Sequence, residues 1–404
     1  DAPMLNSECG DVWGYRGSAG DCDFTWDYHI MIDAFRRNPK CAGWLYTEHH
    51  DVINEWNGYV HYDRSPKIDG MDELVPGMTV ADFQSKYYIQ PLKYLYTENK
   101  PGETLDLQFH GSFMTEADPG ELTLETELVG YDALGEFKTF AASSLPVAFK
   151  PFFSGVVGSQ KLGIPGQDGI YWLRMVLKNA KGEALHHNFT TFRVKGDEAP
   201  EAGNTRTVTF APSSYTASEW SLGKATVFDG LKENGFGHGY FEYTVIIPED
   251  VDLGKVSAAE LIFEASAKEK FGKDRQGGEI RGDYMLGKGT YDHCKSLNSY
   301  AMTDNVLWPS RIEVTVDGEP AGTHDLSDDP ADHRGILSWG AQPTEPWMRE
   351  AGSYGDLVRM AIPLKGRTVT IRISVPEDTP EGGLAIYGKD FGRYPLDPTI
   401  LLSF

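Results

Sequence analysis

From about residue 89 onward the chain alternates, and that alternation limits what it can become. The runs 105–109, 122–128, 171–177 and 189–194 are short and carry apolar side chains at a spacing near two. Clusters such as Asp118-Pro119-Gly120 and Gly166-Gln167-Asp168-Gly169 separate them. A period of two buries one face of a strand and leaves the other in water. Short strands of this kind with regular turn signals predict an antiparallel sandwich. A span of roughly 100 residues fits one immunoglobulin-like module, expected at 89–196.

A polar stretch carrying Pro200 and Gly203 (195–206) reads as a linker. Strands resume beyond it at 240–248, 259–265, 311–317 and 368–375, with Asp317-Gly318 as a two-residue hairpin turn. A second β-sandwich of jelly-roll type is expected over 205–404. Its long insertions fall at 268–300 and 325–356, which are too polar and Gly-rich to be strands throughout.

The first 88 residues have a different texture. Residues 4–10 and 41–46 read as short buried strands. Between them, Ile30, Met31, Ala34 and Phe35 recur at helical spacing, with Asp27 as a cap and Asn38-Pro39 as a stop. Residues 11–29 otherwise read as a long loop, and 80–88 as one further short helix or turn. A β-α-β order predicts a parallel pair with its functional groups at the strand C-termini. The fold class is therefore mainly β: a βαβ segment over 1–88, followed by the two sandwiches.

Charge and cysteine content narrow the function classes. A net charge of −23 repels phosphate backbones and anionic membranes, so neither nucleic acid nor a membrane surface is an expected partner. No run approaches the roughly 20 apolar residues that span a bilayer. The four cysteines (Cys9, Cys22, Cys41 and Cys294) form no CxxC, which argues against zinc. Free thiols are expected, with Cys9–Cys22 the one pairing left open. The chain begins with Asp and residues 1–70 read as the end of a fold, so a piece of a longer protein is expected. An extracellular or periplasmic compartment is expected over a cytoplasmic one, and Asn188-Phe189-Thr190 is the single sequon.

Three motifs carry chemistry. Ser7-Glu8-Cys9-Gly10 places a carboxylate at a strand end where the backbone turns. Gly43-Trp44-Leu45-Tyr46-Thr47-Glu48 ends the second strand. Asn57-Gly58-Tyr59, followed by Tyr62-Asp63-Arg64, comes next. Together they resemble the last two barrel strands of glycoside hydrolase family 2, a likeness that covers residues 1–88 best and implies that this segment is the last βαβ part of a (β/α)8 barrel. The resemblance implies that Glu8 is the catalytic nucleophile of a retaining exo-β-glycosidase working by double displacement. Such chemistry needs two carboxyl groups about 5–5.5 Å apart, one attacking and one protonating. The family's acid/base Glu follows an Asn on an earlier strand. Asn54-Glu55 lies too late in the chain to match it, so the proton donor is expected in an N-terminal remainder of the same enzyme. The isolated chain is then expected to be inactive.

The same resemblance places Tyr46 in the sugar pocket, with Trp44 a lesser candidate, and gives Asn57–Arg64 a structural role. Glu48 stands where relatives often have Gln. From the loop after Glu8, Trp13 is a candidate stacking surface and Arg16 a contact for an acidic substrate. The substrate expected is an oligo- or polysaccharide with a terminal β-galactoside, with β-glucuronides and β-mannosides open. No cofactor is required. A structural calcium ion in the jelly roll is allowed, although no EF-hand spacing is present. Glu48, His49, His50 and Asp51 read as a hydrogen-bonded rim or, less simply, as ligands for a divalent metal. His186-His187 reads as an exposed turn pair, and Trp308, Trp339 and Trp347 as loop residues that could present a sugar platform. An oligomer is compatible with all of this. The alternative from another class is a non-catalytic carbohydrate-binding or structural segment.

Overall fold

The computed structural model describes residues 2–10, 24–52, 58–60, 63–66, 71–195, 204–270, 308–326 and 355–404. The chain is mainly β and divides into two compact units near residue 198. Asp1–Asp132 and Glu136–Glu198 belong to the first, so the expected barrel piece and the first sandwich lie in one unit.

The first unit opens with strand β1 (Met4–Cys9), helix α1 (His29–Arg37) and strand β2 (Cys41–Tyr46). A π-type turn, Phe24–Tyr28, runs directly into α1, so the helix begins without a side-chain cap. The side chain of Asp27, the expected cap, is outside the described residues. Asn38 ends the helix in an extended conformation ahead of Pro39, as the sequence predicts. β1 and β2 pair in parallel, with Met4 opposite Cys41 and Cys9 opposite Tyr46.

The segment 80–88 is a 3-10 turn, Val80–Gln84, that leads into the first sandwich strand. The sandwich strands are β3 (Tyr87–Pro91), β4 (Tyr96–Asn99), β5 (Thr104–Phe113), β6 (Leu122–Tyr131), β7 (Phe137–Val147), β8 (Phe153–Gly163), β9 (Gly169–Asn179) and β10 (Ala184–Val194). They form a five-stranded sheet in the order β4-β10-β9-β6-β7 and a three-stranded sheet β3-β5-β8. The core lies between them. Leu107, Phe109 and Phe113 of one sheet meet Leu124, Leu128, Leu173, Met175, Leu177 and Phe192 of the other. β9 shows the alternation at work. Tyr171, Leu173 and Met175 point inward, while Trp172 and Arg174 on the opposite face both donate to the Leu74 carbonyl, at 2.8 and 2.6 Å.

The doublet His186-His187 corrects the expectation of an exposed turn. Both residues sit within β10, and His186 is fully buried. A strand residue can carry a buried imidazole where the imidazole finds partners. His186 donates from Nε2 to the Ile89 carbonyl at 3.1 Å, and His187 reaches Asp82 through both its backbone N–H and its ring.

The second unit contains β11 (Thr205–Thr209), β12 (Ala217–Trp220), β13 (Lys224–Val227), β14 (Lys232–Gly235), β15 (Gly239–Ile246), β16 (Ala258–Ser266), β17 (Ser310–Val316), β18 (Glu319–Leu326), β19 (Asp356–Ala361), β20 (Thr368–Val375), β21 (Leu384–Tyr387) and β22 (Thr399–Ser403). One sheet runs β11-β22-β16-β21-β14-β13 with β19 also on β16; the other runs β12-β15-β20-β17-β18. Among the described residues every pairing in this unit is antiparallel. Val369, Ile371, Ile373 and Val375 alternate into a core shared with Leu261, Phe263, Ile386 and Leu402. Asp317 and Gly318 form the β17–β18 hairpin with φ of 51° and 80°, the left-handed pair that a two-residue turn of this type requires.

Candidate active site

β1 and β2 run in parallel, so their C-terminal ends lie side by side. The Thr47 N–H donates to the Cys9 carbonyl at 2.9 Å and holds those ends together. Glu8 is the penultimate residue of β1. It is exposed, its own N–H is taken by the Asn6 side chain at 3.0 Å, and Cys9 beside it is buried. A register shift between Asn6 and Cys9 interrupts the regular pairing with β2 at this point, and Glu8 is left facing solvent while Cys9 packs inside.

Gly10 follows with φ of +97°. A Cβ there would lie 2.1 Å from Cε2 of Tyr46, so the Tyr46 ring leans across the C-terminal end of β1 and only glycine leaves room for it. That ring is packed at centroid distances of 4.6 Å from Tyr28, 4.5 Å from Tyr59 and 6.1 Å from Phe24. The phenols of Tyr28 and Tyr59 are hydrogen-bonded at 2.7 Å, and the Gln84 amide donates to both at 2.9 and 3.1 Å. The two expected aromatic residues thus separate. Tyr46 stands at the strand ends. Trp44 stacks on Phe35 of α1 at 5.6 Å with the Arg36 guanidinium 4.8 Å over its ring, a packing role on the helical side. Trp13 and Arg16 lie outside the described residues.

Beneath the strand ends, α1 docks on the sandwich through buried polar groups. His29 Nε2 and Asn188 Oδ1 are 2.8 Å apart, Tyr88 donates to Asp33 at 2.7 Å, and Gln90 donates to the Asp33 carbonyl at 3.1 Å. Arg36 donates to the Phe83 carbonyl at 2.8 Å, with its guanidinium 4.7 Å over Tyr88. Burial dominates the electrostatics here. It lowers His29, raises the Asp33 carboxyl against the pull of His29 and Tyr88, and lowers Arg36 to about 10. His186 falls to about 3, again from burial first, with Asp82 opposing. For Asp82 itself, burial pushes up, but the His187 hydrogen bond and the charge of His186 outweigh it and hold the carboxyl low.

The rim after β2 is hydrogen-bonded. Asp51 is buried and accepts the Gly58 N–H at 3.0 Å. The Thr47–Glu48 peptide bond is cis. Among the described residues no group of three or more His, Cys, Asp or Glu could hold a metal ion. The Cys9 thiol donates to the Leu45 carbonyl at 3.3 Å and Cys41 is a free thiol, while Cys22 and Cys294 lie outside the described residues. So do Trp339 and Trp347. Trp308 is described, and its indole N–H donates to the Gly382 carbonyl at 2.8 Å. No described helix is long and apolar enough to cross a membrane.

Sequence reasoning missed Tyr59 and Gln84. The motif around Tyr59 was legible only as a connection, and nothing local marks Gln84 as the residue that would bridge two phenols.

The chain is thus a mainly β protein: a parallel βαβ segment with a carboxylate at its strand ends, built onto one sandwich and followed by a second. No protein-family model and no curated protein matches its sequence. Among solved structures it is similar to a β-glucuronidase from Bacteroides uniformis, at 11% identity and a TM-score of 0.22, covering 95% of this chain and 41% of that one. It is also similar to an exo-chitosanase from Amycolatopsis orientalis, at 11% identity and a TM-score of 0.25, covering 84% of this chain and 29% of that one. An α-L-rhamnosidase from Dictyoglumus thermophilum shares 11% identity at a TM-score of 0.16, over 78% and 26%. All three are glycoside hydrolases, and this chain spans less than half the length of each. Superpositions this loose carry no argument about the site.

Proposed function

We propose that this chain is the C-terminal portion of a retaining exo-β-glycosidase, with Glu8 as nucleophile. The observation that supports it most is the state of the parallel pair. A parallel sheet is normally covered on both faces, and two strands alone do not hold together in water. Here one face is covered by α1, while Met4, Leu5 and Leu45 are 52, 64 and 57% exposed. That surface suits a covering layer from further strands, and in this reading Glu8 stands at the C-terminal rim of a larger parallel sheet, where barrel enzymes carry their chemistry.

In the first step the Glu8 carboxylate attacks the anomeric carbon. The C–O bond to the leaving group breaks, and an acid from the preceding part of the enzyme protonates the departing oxygen. Water, deprotonated by the same group, then cleaves the glycosyl ester and returns Glu8 as a carboxylate. Asp33 and Asp51 are each engaged internally, by Tyr88 and by the Gly58 N–H, and neither is offered as that acid. Tyr46 lines the sugar site from the strand ends. A terminal β-galactoside is the substrate tried first. In the enzyme carrying the preceding segment, Glu8→Gln is expected to abolish turnover with the fold retained, and a fluorinated glycoside inactivator is expected to label Glu8 in a peptide map. Full activity in the 404-residue chain alone, or in the Glu8→Gln enzyme, would overturn the reading.

A further inference from the structure

We propose that Gln84 is a positioning residue: its amide, donating to the hydroxyls of Tyr28 and Tyr59, fixes the ring of Tyr46 and through it the strand end that carries Glu8. The inference rests on the reading of Glu8 and Tyr46 as parts of one sugar site, and it adds to that site a control that originates in the sandwich.

The chain of contacts is continuous. Gln84 ends the 3-10 turn Val80–Gln84, which a reciprocal capping box between Thr79 and Asp82 makes rigid. Asp82 is also tied to β10, accepting the His187 backbone N–H at 2.7 Å. The turn is therefore part of the sandwich framework. From it Nε2 of Gln84 reaches Tyr28 at 2.9 Å and Tyr59 at 3.1 Å, whose hydroxyls are 2.7 Å apart. The two rings flank Tyr46 at 4.6 and 4.5 Å, at interplanar angles of 63° and 32°. Tyr46 in turn occupies the space a Cβ of Gly10 would need, two residues after Glu8.

The location of Gln84 separates orientation from stability. Its side chain is exposed, and a neutral hydrogen bond in water contributes little net to folding. Tyr28 is buried, so its packing survives without the amide; Tyr59 is only half-buried. Loss of the amide leaves the direct bond between the two phenols but removes the anchor that ties them to the turn, so Tyr59 shifts first and the Tyr46 ring with it.

A single fluorinated tyrosine placed at position 46 reports that ring directly by fluorine NMR in the 404-residue chain. In Gln84→Met, which keeps the side-chain length and removes the amide, the Tyr46 resonance is expected to shift and broaden while the melting temperature stays at the wild-type value. Gln84→Glu, whose carboxylate accepts the tyrosyl protons, is expected to restore the sharp line. A probe at the exposed Tyr94 should respond to neither change. A Tyr46 line unchanged in Gln84→Met overturns the proposal, and so does a line that moves only together with a fall in melting temperature in both variants. A non-hydrolysable β-thiogalactoside, added to the chain joined to its preceding segment, tests the underlying reading separately. A sugar response at Tyr46 in the wild type that weakens in Gln84→Met supports both. No sugar response in the wild type, with the Gln84 effect intact, removes the sugar site and leaves the positioning of the ring.

Discussion

Acidification from pH 7.5 to pH 5 should act on the two units with opposite sign. In the first unit the determining group is His186, buried in β10 with its ordinary value of 6.5 lowered to about 3. Its Nε2–H is committed to the Ile89 carbonyl, so a second proton must go to Nδ1, which has no hydrogen-bond partner and lies 3.8 Å from Asp82 Oδ1. Asp82 favours that proton; Arg36 and His187 oppose it, and burial opposes it most. A histidine whose folded value is depressed contributes its full stability above the unfolded value and loses it as the pH falls below 6.5. By pH 5 the loss is about 2 kcal/mol, or roughly 30-fold in the population of opened molecules. His29, also lowered by burial, adds in the same direction. Asp33 is raised, so it works against the histidines toward the acid end.

The second unit holds Glu264, fully buried and raised from 4.5 to about 7. Desolvation drives that rise against three backbone N–H groups, from Gly355, Arg393 and Tyr394, that favour the ionised form at 2.9–3.0 Å. A carboxyl raised in the fold lowers stability as pH climbs from 4.5 through 7, so descent from pH 7.5 to pH 5 returns about 2 kcal/mol. Glu233, raised to about 7, and Asp397, also raised, share the sign. The net charge of −23 falls on acidification and relieves repulsion in both units alike, so the difference between them is the quantity to read. Hydrogen exchange followed by mass spectrometry, corrected for intrinsic rates, measures it. Peptides from β10 should lose protection at pH 5 relative to pH 7.5 while those from β16 gain it, and His186→Gln should flatten the first response alone. Gain or no change at β10, or equal shifts in both strands, refutes the reasoning.

Two further outcomes follow from single residues. Gly318→Ala places a side chain at φ +80° in the β17–β18 turn and should destabilise the second unit by about 1 kcal/mol, read as a lower melting temperature; an unchanged transition would mean the turn rearranges. Asn234 is buried between Ala225 and Ala385 with neither amide atom bonded, so Asn234→Leu, of similar volume, should raise the stability of that unit by about 1 kcal/mol in denaturant titration, and a clear loss would reveal a partner for the amide.

What was legible in the chain follows from where each signal resides. β20 shows its inward face residue by residue, because Val369, Ile371, Ile373 and Val375 alternate with polar neighbours, and Asp317-Gly318 marks the β17–β18 hairpin because few other pairs tolerate two positive φ angles. β14 shows nothing: Lys232, Glu233, Asn234 and Gly235 contain no apolar side chain, yet the strand is wholly buried between β13 and β21. Its burial comes from its neighbours in the sheet and not from its own composition. The site divides along the same line. Glu8 could be singled out because a carboxylate followed two residues later by glycine at a strand end is a local pattern. The separate surroundings of Trp44 and Tyr46 could not be read, because residues two apart on a strand share a face and only the packing of α1 and Tyr59 tells them apart. Tyr59 and Gln84 were invisible for a stronger reason. Their meaning is a contact between residues 25 positions apart in the chain that converge on a third, and such a contact exists only once the sandwich has fixed the turn from which Gln84 extends.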